Sequence, residues 1–216
     1  VDALILIGSH FISENPKKNE YIVKAAQRIP VCLLNGFLDA ENVFCVLHDD
    51  EEAARKLTDL VLERGSRAPV FLFRHDSGST QRKRQGFLDA CARHGVTGIE
   101  KRVGGDFEEI GRALLDLLQE EGAYDALVAC DDEIAVAALK SCQKAGISVP
   151  DEMQVTGFNA SVLSRACSPE LTSYDNRLAF MCEAGMNAIM LALHHEDYPL
   201  KTTYNGKLVE RDSTRK

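Results

Sequence analysis

The chain has 216 residues, 45% of them hydrophobic, enough for one large domain or two small lobes with a real core. A formal net charge of −8 argues against this segment gripping a phosphate backbone by itself, because duplex binding relies on clustered Lys and Arg. An acidic regulatory domain joined to a basic DNA-binding module stays compatible with that balance, and no signal peptide or membrane span is visible.

In chain order the pattern alternates strand and helix. Residues 3–7 form a short apolar run, and "NEYIVKAAQRI" then puts Ile22, Ala25, Ala26 and Ile29 on one helical face. Apolar runs at 31–34 and 43–47 predict strands buried on both faces. The acidic run Asp49-Asp50-Glu51-Glu52 starts a helix, where negative charge is favoured. That helix, "DEEAARKLTDLVLERG", repeats Ala53, Leu57, Leu60 and Val61 and stops at Gly65. A strand at 69–73 precedes "TQRKRQGFLDACARHG", whose apolar positions are Phe87, Leu88, Cys91 and Ala92, with Gly95 as the stop. "EIGRALLDLLQEEG" ends at Gly122, a strand covers 126–130, "DEIAVAALKSCQKAG" ends at Gly146, and another strand covers 153–157. A long helix, "RLAFMCEAGMNAIMLALHH", comes late. Repeated βα units predict a parallel sheet with helices on both faces.

In such layers, ligands bind beyond the carboxyl ends of the strands. Asp131 and Asp132 follow the run at 126–130, and Asn159 follows the run at 153–157. Polar groups at strand tips are held rigidly where they face a ligand; the plain alternative is that Asp131 or Asp132 caps the next helix. The seven cysteines, Cys32, Cys45, Cys91, Cys130, Cys142, Cys167 and Cys182, are odd in number and form no CxxC pair. Buried free thiols in a reducing cytoplasm fit that pattern. His10, His48, His75 and His94 have no metal-ligand spacing, so no metal is expected. Nothing pairs a nucleophile with a base, so neither an enzyme nor a cofactor is read here.

Several pieces occur in a telling order: "PVCLLN", "DDEEAARKLTDLVLERG", "STQRKRQGFLDACARHG", "GGDFEEIG", "ACDDEIAVAALKSCQKAGISVPDEMQVTGFN", "SPELTS" and "LVERDST". Together they resemble the effector-binding domain of the lactose-repressor/galactose-repressor (LacI/GalR) family of bacterial transcription regulators, from Val1 to about Thr214. The resemblance implies an α/β fold of two Rossmann-like lobes with parallel sheets, of the type I periplasmic-binding-protein-like kind, with the effector in the cleft between them. The first lobe would take residues 1–47 plus 177–200, and the second 50–172 plus 202–214. The family's helix-turn-helix headpiece and first two βα units have no counterpart here, so the first lobe is expected to be incomplete and the strand at 3–7 to lose its sheet partner. The implied function is a cytoplasmic sensor of a small polar effector, a sugar or sugar derivative. It would act as a homodimer and reach operator DNA only through the absent headpiece, with no membrane partner. The rival class is a periplasmic-type sugar-binding receptor feeding a transporter.

The carry-over of site residues is uneven. Where the family usually places an effector-gripping Arg, this chain has Lys83, flanked by Arg82 and Arg84. Lys cannot make the bidentate fork of a guanidinium, and a solvated basic helix face is the alternative. The loop "HDSGST" leads into that helix, whose free N–H groups suit an anion or hydroxyls as well as an ordinary Ser or Thr cap. The family's usual Asn-Asp is Asp131-Asp132 here and its usual Asp is Asn159, so amide and carboxylate have traded places. Phe107 sits where relatives pack an aromatic on the ligand ring, or else it is a core residue at a helix start. Asn35 and Asn176 match polar positions that reach the cleft, or else they are turn residues. The helix at 133–145 and the following strand are the expected share of the second lobe in the dimer.

Overall fold

The computed structural model describes residues 1–13, 15–119 and 124–216. The chain splits into two compact units. One comprises Val1–Asp49, Ser77–Ser79 and Arg177–Asn205; the other comprises Asp50–Asp76, Thr80–Asn176 and Gly206–Lys216.

The first unit holds four parallel strands, β1 (Leu4–Ile7), β2 (Val31–Leu34), β3 (Val43–His48) and β9 (Lys201–Tyr204), in the order β1-β2-β3-β9. Side chains alternate between the two faces of a strand, so β2 feeds two cores. Val31 and Leu33 join Ile22 and Ala26 of helix α1 (Glu20–Ala26). Cys32 and Leu34 meet Met181, Ala184 and Ile189 of helix α7 (Leu178–Leu193). Two covered faces explain why β2 and β3 read as continuous apolar runs.

Two expectations change here. The strand at 3–7 keeps a partner: β1 pairs with β2 from Leu4↔Val31 to Ile7↔Leu34. Its other edge carries no strand among the described residues. Residue 202, expected to resume the second lobe, lies in the first sheet, because β9 pairs with β3 from Cys45↔Lys201 to His48↔Tyr204. The buried N–H and C=O groups on the outer side of β3 need partners, and this polar segment supplies them. The crossing therefore falls at Asn205–Gly206 instead of within 195–202.

The second unit is built on a six-stranded sheet, β10-β8-β7-β6-β4-β5. Its strands are β4 (Pro69–Phe73), β5 (Ile99–Arg102), β6 (Ala126–Ala129), β7 (Gln154–Phe158), β8 (Thr172–Asp175) and β10 (Lys207–Val209). All neighbours are parallel except β10, which runs antiparallel to β8. Helices α2 (Asp50–Glu63), α3 (Gly78–Arg93), α4 (Phe107–Gln119) and α5 (Asp132–Ala145) and a short α6 (Val162–Ala166) complete it. The core runs through β4, β6 and β7 to Phe87, Ile110, Leu114, Ile134 and Ala138.

In α2, the predicted face of Ala53, Leu57, Leu60 and Val61 is buried. In α3 it is corrected: Phe87 and Cys91 are buried but Leu88 and Ala92 are exposed. The buried stripe is Lys83, Phe87, Ala90 and Cys91, a regular i, i+4, i+7, i+8 set that includes a cation. The predicted end of the fourth helix at Gly122 lies outside the described residues. Helix α5, expected at a dimer surface, is largely spent on its own unit: Ile134, Ala135, Ala137, Ala138, Leu139 and Cys142 are all buried. All seven cysteines are free, and five of them are buried.

Candidate functional site

In a parallel sheet every strand ends at the same edge, so the residues after β6, β7 and β8 are brought together by topology alone. Asp131 is in extended conformation and its Oδ1 accepts from the Ile134 N–H at 2.8 Å, which makes it the N-cap of α5. The Cys130 thiol donates to its other oxygen at 3.7 Å. Burial, followed by the Asp131 charge, pushes that thiol up to about 12. Asp132 points into the unit. It accepts from the Ser173 hydroxyl at 2.6 Å and from the Ser161 N–H at 2.6 Å. The Ser173 hydroxyl in turn accepts from the Ala160 N–H at 3.0 Å. Burial raises the Asp132 carboxyl above its ordinary value, against the opposing pull of those serine contacts.

This web fixes the loop after β7. A Cβ at Gly157 would lie 2.5 Å from Asp132 Oδ1, so the Gly-Phe pair is Gly-first because the carboxylate crosses the strand there. Asn159 follows with φ +93, a conformation Asn adopts more readily than most residues. Its backbone N–H donates to the Tyr174 carbonyl, and its Oδ1 accepts from the Asn176 Nδ2 at 2.8 Å. Asn176 is buried, and its own Oδ1 has no hydrogen-bond partner among the described residues. Asp131, Asn159 and Asn176 therefore stand on the tips of three adjacent strands, one carboxylate beside a paired set of amides. Carboxylates accept only, whereas amides both accept and donate, and the two together suit vicinal hydroxyls.

Lys83 does not reach outward. Its ammonium donates to the Cys130 carbonyl at 3.0 Å and lies 4.0 Å from the centroid of the Phe158 ring. The Asp50 carboxylate is 3.8 Å away and takes the Arg82 guanidinium at 2.6 Å. Lys83 belongs to the buried stripe of α3, with partners inside its own unit. Phe107 stands at the start of α4, as in the alternative given for it. Its ring packs against the core and sits 5.2 Å from the Lys140 ammonium, lining a groove between α4 and α5. Asn35, in the first unit, ends β2 with φ +62 and keeps a buried Oδ1 with no hydrogen-bond partner among the described residues.

Sequence reasoning missed Asp50 and Ser173. Asp50 was legible only as a helix-start acid, although the Lys83 register on α3 was a signal that something buried must neutralise that cation. Ser173, inside a short polar strand, gave none. No group of three or more His, Cys, Asp or Glu side chains suited to a metal occurs among the described residues. None of their helices is long and apolar enough to cross a membrane.

A family model described as a periplasmic binding protein-like domain matches residues 58–214. An HTH-type transcriptional regulator of Lachnoclostridium phytofermentans is 30% identical over 217 residues, spanning 99% of this chain and 65% of the relative. The chain thus covers a little less than two thirds of that protein. The crystal structure of a LacI transcriptional regulator from a Rhodococcus species superposes with a TM-score of 0.87 at 24% identity, over 99% of this chain and 78% of that one. A LacI family regulator of Enterococcus faecium with bound ribose gives 0.86 at 16% identity, over 99% and 80%. At these identities the two structures speak for the fold.

Proposed function

Because the chain belongs to the periplasmic binding protein-like domain family, in the branch of LacI/GalR effector-binding domains, we propose that it is the ligand-sensing part of a bacterial transcription regulator. The effector is a small polar metabolite, a sugar or sugar derivative, bound at the carboxyl edge of the second unit's sheet. Asp131, Asn159 and Asn176 read its hydroxyls. The observation that carries this reading is the Asn159–Asn176 pair beside Asp131, with a buried amide oxygen left open. The ribose complex among the structural neighbours supports the ligand class. The whole protein works in the cytoplasm as a homodimer repressor that touches operator DNA through a headpiece, and it is not an enzyme. A ligand controls such a repressor only as far as it prefers one conformation over the other.

Calorimetry of the chain against a panel of sugars tests the site. Asp131→Asn keeps the helix cap, since Asn caps as well as Asp, so the melting temperature should hold while affinity for any sugar that binds falls about ten- to hundred-fold. Unchanged affinity in both Asp131→Asn and Asn159→Ala would move the site elsewhere.

A further inference from the structure

The second unit carries a concavity between two of its helices. We infer that this groove, between α4 and α5, is a binding site for a small organic phosphate, separate from the sensor site proposed above. The groove has a volume of about 540 Å³ and is lined by residues of these two helices alone, none of them Asp131, Asn159 or Asn176. That volume lies in the range of small-molecule pockets, about 300–1,000 Å³. It exists because the residues that meet across it are small: Gly111 on α4, and the buried Ala137 and Ser141 on α5. The Ser141 hydroxyl donates to the Gly111 carbonyl at 3.2 Å, which joins the two helices there. Glycine inside a helix is less stable than alanine, and nothing in the unit calls for it: a Cβ at Gly111 would meet no atom within 4 Å. The fold thus keeps open a space that it could fill at a gain.

The rim gives the ligand its class. Arg112 on α4 and Lys140 and Lys144 on α5 line the groove, against one carboxylate, Glu108. All three cations are exposed, in a chain whose net charge is −8, and none forms an ion pair among the described residues. Lys140 and Lys144 stand one turn apart, a like-charge spacing that destabilises a helix. The helix dipole accounts for Lys144, in the last turn, but not for Lys140 or Arg112. The N-terminus of α4 is already capped, since Asp106 accepts from the Glu108 and Glu109 N–H groups at 3.0 and 2.9 Å. The side chains, and not the helix end, therefore hold the anion. Phe107 and Leu115, both half-buried, supply an apolar wall, and the Lys140 ammonium lies 5.2 Å from the Phe107 ring centroid. A phosphate group offers several acceptor oxygens to the cations, while Glu108 and the apolar wall suit an organic body better than a bare ion.

Calorimetry of this chain without added metal tests the groove. The probes are adenosine diphosphate, ribose-5-phosphate and pyrophosphate, with adenosine and ribose as uncharged controls. One or both organic phosphates should bind at least about tenfold more tightly than the uncharged parent, and the affinity should fall as salt rises. Lys140→Ala with Lys144→Ala should weaken it about ten- to hundred-fold. Gly111→Leu fills the space and should do the same, while the melting temperature holds or rises. If Gly111→Leu fails to fold, the exposed lysine pair decides alone. Asp131→Asn should leave the phosphate affinity unchanged. Binding lost in Asp131→Asn but kept in the lysine double variant would overturn the inference and leave the sensor reading standing. Pyrophosphate binding as tightly as adenosine diphosphate would show that the apolar wall plays no part and overturn the organic class. Silence from both organic phosphates would overturn the inference, and a polyglutamate peptide binding in their place would assign the groove to an acidic protein partner.

Discussion

Asp132 shows how one buried carboxylate can organise a site it does not itself present. It holds Ser173 and the backbone of Ser161, and through Ser173 the backbone of Ala160, so the loop bearing Asn159 is fixed by hydrogen bonds from below. Burial raises its carboxyl above the ordinary 3.8. The folded chain then binds more protons than the unfolded chain in the window above that value, so stability from this group falls as pH rises through the window. Asp132→Asn removes the titration. The stability of the wild type minus that of Asp132→Asn should therefore decrease as pH rises above about 4, measured by denaturant unfolding; a flat difference would rule out a burial-driven shift. Asp132 was legible only in part. The sequence placed two acids after a strand and offered one of them as a cap. Which acid caps and which turns inward depends on Ser173, 41 positions away, and no local pattern encodes that choice.

At the scale of elements, legibility followed burial. Strands β2, β3, β4 and β6 are covered on both faces and read as nearly unbroken apolar runs, β7 is buried with Gln154 and Thr156 in it, and all were read near their true bounds. Strands β5, β8, β9 and β10 went unread because each is short and polar or half-exposed, and their pairing is set by neighbouring edges. Helix α5 was read in full, down to Gly146 in left-handed conformation at its end. The tail is the most consequential of the unread pieces. Ser213 donates to the Val155 carbonyl at 2.6 Å and accepts from the Thr172 N–H at 2.8 Å, tying β7 to β8 from within the unit. Thr214 adds a hydroxyl contact to Thr172 at 2.9 Å. Both residues are essentially buried. Ser213→Ala leaves one buried donor and one buried acceptor unpaired, so it should destabilise the second unit by about 2–4 kcal/mol. Hydrogen exchange at β7 and β8 should rise with it. Protection unchanged at Val155 and Thr172 would mean that the tail is an ornament of the sheet and not its brace.

For the molecule as a whole, the charge of −8 limits what it can touch without help, and the sensor proposed above would act on paired DNA-binding heads as an oligomer. A surface for the proposed homodimer was not legible in the sequence, because exposure is a product of the finished fold. The helix expected there buries one face against its own sheet and keeps another exposed, and the neighbouring short helix α6 carries apolar exposed side chains. Val162 is 79% exposed and Leu163 is 40% exposed on its outer side. Two adjacent aliphatic side chains left to water on a five-residue helix are small as a patch. They sit on a helix that packs beside α5, in the place of the apolar centre that protein interfaces surround with a polar rim. We place the second unit's share of the homodimer on α6 for that reason. Val162→Glu with Leu163→Glu puts two like charges at the centre of a self-complementary contact and meets its own copy there. Sedimentation velocity across a concentration series should show self-association weakened by at least about tenfold, with the melting profile at low concentration unchanged because neither side chain supports the core. Wild-type association in the double variant would place the interface on another face.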